Sequence, residues 1–179
     1  MNAIRRCCLA WILGTALASP VSAGLKEKTL DVYWIDSEGG GSTLIVTPDD
    51  ESVLIDAGHL GARDAGWIVA GLKAAGLTKI DYLIITHYHS DHYGGASEVA
   101  KAIPVGKIYQ RAIPATDPDG RLASTYPLEI RAYREIPAQR EALAPGVVIP
   151  LRPVAGADAP RLELLCLAAD QKFVAPNAE

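Results

Sequence analysis

Six consecutive residues, His87-Tyr88-His89-Ser90-Asp91-His92, hold three of the chain's four histidines and a carboxylate. Imidazole nitrogen and carboxylate oxygen are the usual ligands of zinc and its neighbours in hydrolytic centres. The absence of nearby cysteine argues against a structural Cys-rich zinc site, and the cluster reads as a catalytic metal site. A surface histidine cluster without chemistry is the bland alternative. The spacing, the strand before it and the glycines after it all argue against that alternative.

The cluster needs a rigid element to aim it. Lys79-Ile80-Asp81-Tyr82-Leu83-Ile84-Ile85-Thr86 is an apolar, β-branched run that predicts a buried strand ending where the histidines begin. If the backbone stays extended for two further residues, His87 and His89 point to one side and Tyr88 to the other. Ser90 is where the chain must turn. Asp91 and His92 are thereby displaced from the first pair and can hold a second ion a few ångströms away. Gly94 and Gly95 permit a tight turn before a helix starting at Ala96-Ser97-Glu98-Val99-Ala100-Lys101. A site at the carboxyl end of a strand is a usual place for chemistry in α/β architectures.

At these residues the chain resembles the metallo-β-lactamase superfamily, whose signature is His-x-His-x-Asp-His followed by a glycine-rich turn. The resemblance extends to Ser52-Val53-Leu54-Ile55-Asp56-Ala57-Gly58, similar to the family's strand that ends in an aspartate and a glycine. It also covers Asp31-Val32-Tyr33-Trp34-Ile35-Asp36, similar to the opening strand of the branch related to the hydrolase domain of DNA-uptake competence proteins. It implies that His87 and His89 bind one metal and that Asp91 and His92 bind the other. Asp91 is then a catalytic residue as well as a ligand, zinc is the cofactor in one or two ions, and metal-bound hydroxide is the nucleophile. The implied fold is α/β (α+β), an αββα sandwich of which this chain supplies the amino-terminal half plus a tail. Asp56 is expected to hydrogen-bond a ligand imidazole, with a simple turn carboxylate as the alternative.

Family enzymes add further ligands from later loops, yet the 87 residues after His92 contain no histidine. Asp170, after the apolar run Leu162 to Ala169, is the best placed late aspartate for a metal. An ordinary strand-end aspartate facing solvent or a turn amide fits its surroundings as well. The second site is therefore expected to be incomplete in this chain. The domain over residues 24–179 is expected to be incomplete at its carboxyl end, through truncation or through completion by another chain.

The first 23 residues read as a secretory signal peptide. Arg5-Arg6 precede the apolar stretch Cys7 to Ala18, and Val21-Ser22-Ala23 is a small-x-small cleavage site before Gly24. The apolar stretch is too short to span a bilayer comfortably. A periplasmic or secreted mature chain without a membrane anchor is the expectation. Removal of the leader leaves Cys166 as the one cysteine, a residue expected to pack inside a strand, and leaves 15 basic against 21 acidic residues, a formal charge of −6. Such a chain is not a general nucleic-acid binder. Residues 101–140 nevertheless hold seven Lys or Arg against four acids. That segment can draw an anion toward the site, or it can consist of helix faces with paired charges.

The rest of the chain organises the site. Leu30 to Ile35, Thr43 to Thr47 and Ser52 to Ile55 predict a three-stranded meander, with Gly39-Gly40-Gly41 as a flexible connection. Asp64 is expected to cap a helix through Ala75 that turns Trp67, Ile68, Leu72 and Ala75 to the sheet. His59 is expected to line the pocket. Lys107 to Tyr109, Val147 to Ile149 and Leu162 to Ala168 read as strands, and Asp117 to Gly120 as a turn. Pro127 to Glu135 and Gln139 to Leu143 read as helices broken by Pro137 that can form a lid. The function implied is an exported zinc-dependent hydrolase acting on a small-molecule or phosphodiester substrate, the latter favoured over a lactam, lactone or thioester. A catalytically deficient, metal-binding homologue is the alternative. A homo-oligomer is left open.

Overall fold

A computed structural model describes residues 24–26, 28–123, 125–154 and 161–174. The expected signal peptide lies outside these residues. Among them, no helix is long and apolar enough to cross a membrane.

Strands β1 (Asp31–Trp34), β2 (Thr43–Val46) and β3 (Ser52–Ile55) form the expected antiparallel meander. Helix α1 (Ala62–Ala74) then crosses to β4 (Ile80–Ile85), which pairs parallel to β3. A single turn, α2 (Ser90–Tyr93), and helix α3 (Ala96–Ala102) lead to β5 (Val105–Gln110). Helix α4 (Tyr126–Arg134) leads to β6 (Gln139–Ala142). The six strands make one sheet in chain order, parallel from β3 to β6. Two short pairings follow: β7 (Val148–Ile149) with β8 (Leu164–Leu165), and β9 (Ala168–Ala169) with β10 (Lys172–Phe173).

The two faces of the sheet have different partners, and the alternation of each strand decides which side chain goes where. Leu83 and Ile85 of β4, Leu54 of β3 and Ile108 of β5 turn to the helices, where Ile68 and Leu72 of α1, Val99 of α3 and Ile130 of α4 cover them. Tyr82 and Ile84 turn the other way. They meet Val53, Tyr109 and Ile149, with Leu143, Leu151 and Leu164 packed alongside. A strand buried on both faces must be apolar throughout, which is why β4 reads as a continuous apolar run.

The tail holds to that second face through polar contacts as well. The Tyr82 hydroxyl donates to the Pro150 carbonyl (3.0 Å), and the Arg152 backbone N–H donates to the buried Glu51 carboxylate (2.7 Å). Cover is thinner at β1, where Val32 and Trp34 remain 41% and 82% exposed. The architecture is thus of the expected α/β class: one sheet, helices on one side, and residues of β7 and β8 packed on the other.

Four expectations are corrected. Gln139 to Leu143 is not helical but mostly strand β6 (Gln139–Ala142), because the open edge of β5 offers it a ladder. Helix α4 is not a lid: Tyr126, Ile130 and Tyr133 are buried in the core. In α1 the buried positions are Asp64, Ala65, Ile68 and Leu72, so Trp67, one residue off that stripe, is 58% exposed. Cys166 follows β8 rather than lying within it, and is only partly buried.

Candidate metal centre

The chain leaves β4 still extended, and the alternation places the histidines as expected. Tyr88 turns into the core, where its ring lies 5.7 Å from those of both Tyr93 and Tyr133 and its hydroxyl donates to the Arg111 carbonyl. His87 and His89 turn the other way, with ring centroids 4.8 Å apart. His89 is the last extended residue (φ −68°, ψ 146°), and its carbonyl accepts the His92 N–H (3.0 Å) that closes the α2 turn. This brings the His92 ring to 3.9 Å from that of His87, and His92 Nε2 to 3.9 Å from an Asp91 carboxylate oxygen.

Asp56 organises the ring nitrogens. It is buried at the end of β3 with φ of 59°, a left-handed conformation that a short polar side chain tolerates better than most. Its carboxylate accepts from Thr86 N–H (2.8 Å), the Thr86 hydroxyl (2.6 Å) and His92 Nδ1 (2.7 Å). The Thr86 hydroxyl, its proton committed to Asp56, is left to accept from His87 Nδ1 at 3.1 Å. With each Nδ1 facing an oxygen, Nε2 is the nitrogen of His87 and of His92 that is left to meet a cation, and that of His87 lies 3.0 Å from His89 Nδ1. Burial, and after it the neighbouring His92 and His89 rings, push the His87 pKa below its ordinary value and favour the neutral imidazole.

Two nitrogens on one tetrahedral zinc, each at about 2.0–2.1 Å, stand roughly 3.3–3.4 Å apart. His87 Nε2 and His89 Nδ1 stand 3.0 Å apart, close to that separation. The donor types and the orienting carboxylate fit a hydrolytic metal. Among the described residues no group of three or more His, Cys, Asp or Glu side chains is arranged to hold an ion.

Other segments reach the cluster that the sequence did not single out for this role. Gly39-Gly40-Gly41, expected as a flexible connection, packs directly on the site. Gly41 N–H donates to the Asp91 carbonyl (3.1 Å), and Gly58 N–H donates to the Gly41 carbonyl (2.9 Å). A Cβ at Gly41 would lie 2.8 Å from His92 Nδ1 and 3.1 Å from Asp56 Oδ2. Behind α2, the Asp119 carboxylate accepts the Ser90 N–H (3.1 Å), and Glu129 accepts the Tyr93 hydroxyl (3.2 Å). The Asp117 to Gly120 turn was legible, but nothing local ties it to a residue 29 positions earlier.

Three expected residues fall elsewhere. Asp170 sits at the tip between β9 and β10 (φ 51°) and pairs with Arg111, so its partner is a guanidinium rather than a turn amide. His59 is exposed, and its backbone N–H donates to Asp64 Oδ2 (2.8 Å). Asp64 lies inside the first turn of α1, where it ties down the preceding loop, and the N-cap position is Gly61. The basic segment is largely paired, Lys101 with Glu98, Lys107 with Glu141, Arg121 with Asp117 and Glu129, and Arg131 with Glu135.

Residues 36–165 match the family model of the Metallo-beta-lactamase superfamily. That span covers well over half of the chain, includes the meander, the histidine cluster and its supports, and shows that the chain belongs to this superfamily. Over 71 residues it is 41% identical to the Competence protein ComA of Neisseria gonorrhoeae, which is 40% of this chain and 10% of that protein. Among solved structures it is similar to the metallo-beta-lactamase SMB-1 in complex with mercaptoacetic acid, with 22% identity over 69% of this chain and 47% of that one, at a TM-score of 0.49. It is also similar to the metallo-beta-lactamase MIM-1 from Novosphingobium pentaromativorans, with 25% identity over 67% and 44% of the two chains and a TM-score of 0.48. The chain thus spans a tenth of the competence protein and under half of these lactamases.

Proposed function

We propose that this chain carries the amino-terminal half of the active centre of an exported zinc-dependent hydrolase. His87 and His89 hold one ion, Asp91 and His92 hold the other, and Asp56 fixes the His92 ring. The observation that carries the proposal is the pair of oriented imidazoles: Nδ1 of His87 and of His92 is engaged by the Thr86–Asp56 unit, so that each Nε2 faces the cluster. A bound divalent metal supplies a nucleophile from water at neutral pH and polarises the bond under attack. The protein's part is to present neutral imidazole and to hold Asp91 beside them.

A phosphodiester is the favoured substrate class, ahead of a lactam, lactone or thioester. Its support is the similarity to the competence protein. The basic segment adds little, because its charges are largely paired. Export is supported by the arginine pair, the apolar stretch and the small-x-small site ending at Ala23.

The second reading is a metal-binding homologue with little turnover, and it is favoured by the incomplete donor set among the described residues. Zinc stoichiometry on the purified 179-residue chain separates the two, with His89→Ala as control and generic phosphodiester, lactam and ester substrates as the activity panel. Two tightly held ions with turnover of the phosphodiester support the enzyme. Fewer than two ions with no turnover support the remnant. Absence of zinc binding in the wild-type chain overturns both.

A further inference from the structure

The four-residue turn that carries Asp91 and His92 is held at both ends from outside itself. Asp119 accepts the N–H of Ser90, its first residue, and Glu129 accepts the hydroxyl of Tyr93, its last. One side chain joins these two acceptors. Arg121 makes a two-pronged contact with Glu129 (2.7 and 3.3 Å), donates through Nε to Asp117 (2.8 Å), and has the same nitrogen 3.5 Å from Asp119. Asp119 N–H donates in turn to Asp117 (3.0 Å).

The physical setting makes this more than a surface ion pair. The carboxylates are 8% (Asp117), 19% (Asp119) and 11% (Glu129) exposed. Three such carboxylates around one guanidinium are short of positive charge, so their oxygens are strong acceptors for the Ser90 N–H and the Tyr93 O–H. Burial works to raise the Glu129 pKa, yet hydrogen bonds from Arg121 and Thr125 outweigh it and keep the carboxyl below its ordinary range. Glu129 is therefore a carboxylate at neutral pH and can grip the turn through the Tyr93 hydroxyl.

We propose that Arg121, acting through Asp119 and Glu129, is the positioning residue for the Asp91–His92 pair. It sets where the turn sits against His87 and His89, and so the relation between the two halves of the metal centre. This rests on the metal-centre reading above.

The test uses the 179-residue chain and two readouts, amide hydrogen exchange over residues 89–93 without metal, and zinc affinity by competition with a chelator. Asp119→Ala is expected to speed exchange in that segment selectively and to weaken zinc binding about 10- to 100-fold, the range for loss of an outer hydrogen-bond partner. Asp119→Asn, whose amide oxygen still accepts from Ser90, is expected to recover most of both. Arg121→Met should reproduce the alanine result. Exchange that is unchanged, or that quickens equally in β4, overturns the proposal, as does an Asn variant no better than Ala. Zinc that fails to bind the wild-type chain overturns the metal-centre reading itself. That outcome is distinct from failure of the clamp, in which zinc binds and Asp119→Ala moves neither readout.

Discussion

Asp56 Oδ2 lies 2.7 Å from His92 Nδ1, joining the end of β3 to the turn after β4 across 36 residues of chain. The same carboxylate accepts two hydrogen bonds from Thr86, so one buried side chain sets the orientation of His92 directly and of His87 through a hydroxyl.

Replacement of Asp56 by Ala is accordingly expected to weaken zinc binding by about 10- to 100-fold. It also leaves the Thr86 N–H without its acceptor, at a cost of about 1–3 kcal/mol. Chelator competition and urea denaturation measure the two effects. An Asp56→Ala chain with wild-type zinc affinity would remove the orienting role.

Gly41 has no room for a side chain. Gly41→Ala drives a methyl group into the His92–Asp56 contact and is expected to cost about 1–3 kcal/mol, as overpacking does. Gly66, exposed in α1 with nothing within 4 Å of a Cβ, is the matching control. Gly66→Ala is expected to stabilise by about 0.5–1 kcal/mol through helix propensity. Paired thermal melts check the opposite signs.

Zinc removal is expected to lower the melting temperature of the wild-type chain but not that of His89→Ala. Ligand that binds only the folded state at 100 times its Kd stabilises by about 2.7 kcal/mol. Thermal scans with zinc and with excess chelator measure the difference, and an equal response in the two proteins would place the metal elsewhere.

Acid is expected to weaken the β3–β4 junction. Burial acts to raise the Asp81 pKa, but hydrogen bonds from Lys79 and Ser52 outweigh it and hold the carboxyl below its ordinary value of 3.8. A carboxylate depressed in the fold contributes stability that is present above the unfolded pKa and is lost as pH falls through the folded one. The stability gap between wild type and Asp81→Asn should therefore be open at pH 7 and shrink as pH falls below about 4. Urea midpoints across that range decide it; a constant gap would show that the charge plays no part.

What could be read from the sequence was local. The run from Ile80 to Ile85 is apolar at every position but Asp81 and Tyr82, and only a strand covered on both faces needs that, so β4 and the start of the site after it were legible. The period-two alternation that sends His87 and His89 one way and Tyr88 the other is likewise a property of extended chain. The edge strand β6 was not legible, because its pairing with β5 rather than any preference of Gln139 to Ala142 makes it a strand.

The same division runs through the metal centre. By itself the sequence determined the donor types, their spacing and the carboxylate at the end of β3, since these depend on residues near one another in the chain. Only the tertiary structure decided what holds them. Gly41 against His92, Asp119 on Ser90, Glu129 on Tyr93 and Arg111 on Asp170 are separated by 29 to 59 residues, and no local pattern specifies which distant groups meet. Asp119 and Glu129 reach the turn after β4 because the parallel order of β4 and β5 brings the loops that leave those strands to one end of the sheet, whereas Gly41 arrives from the β1–β2 connection and Asp170 from the β9–β10 tip.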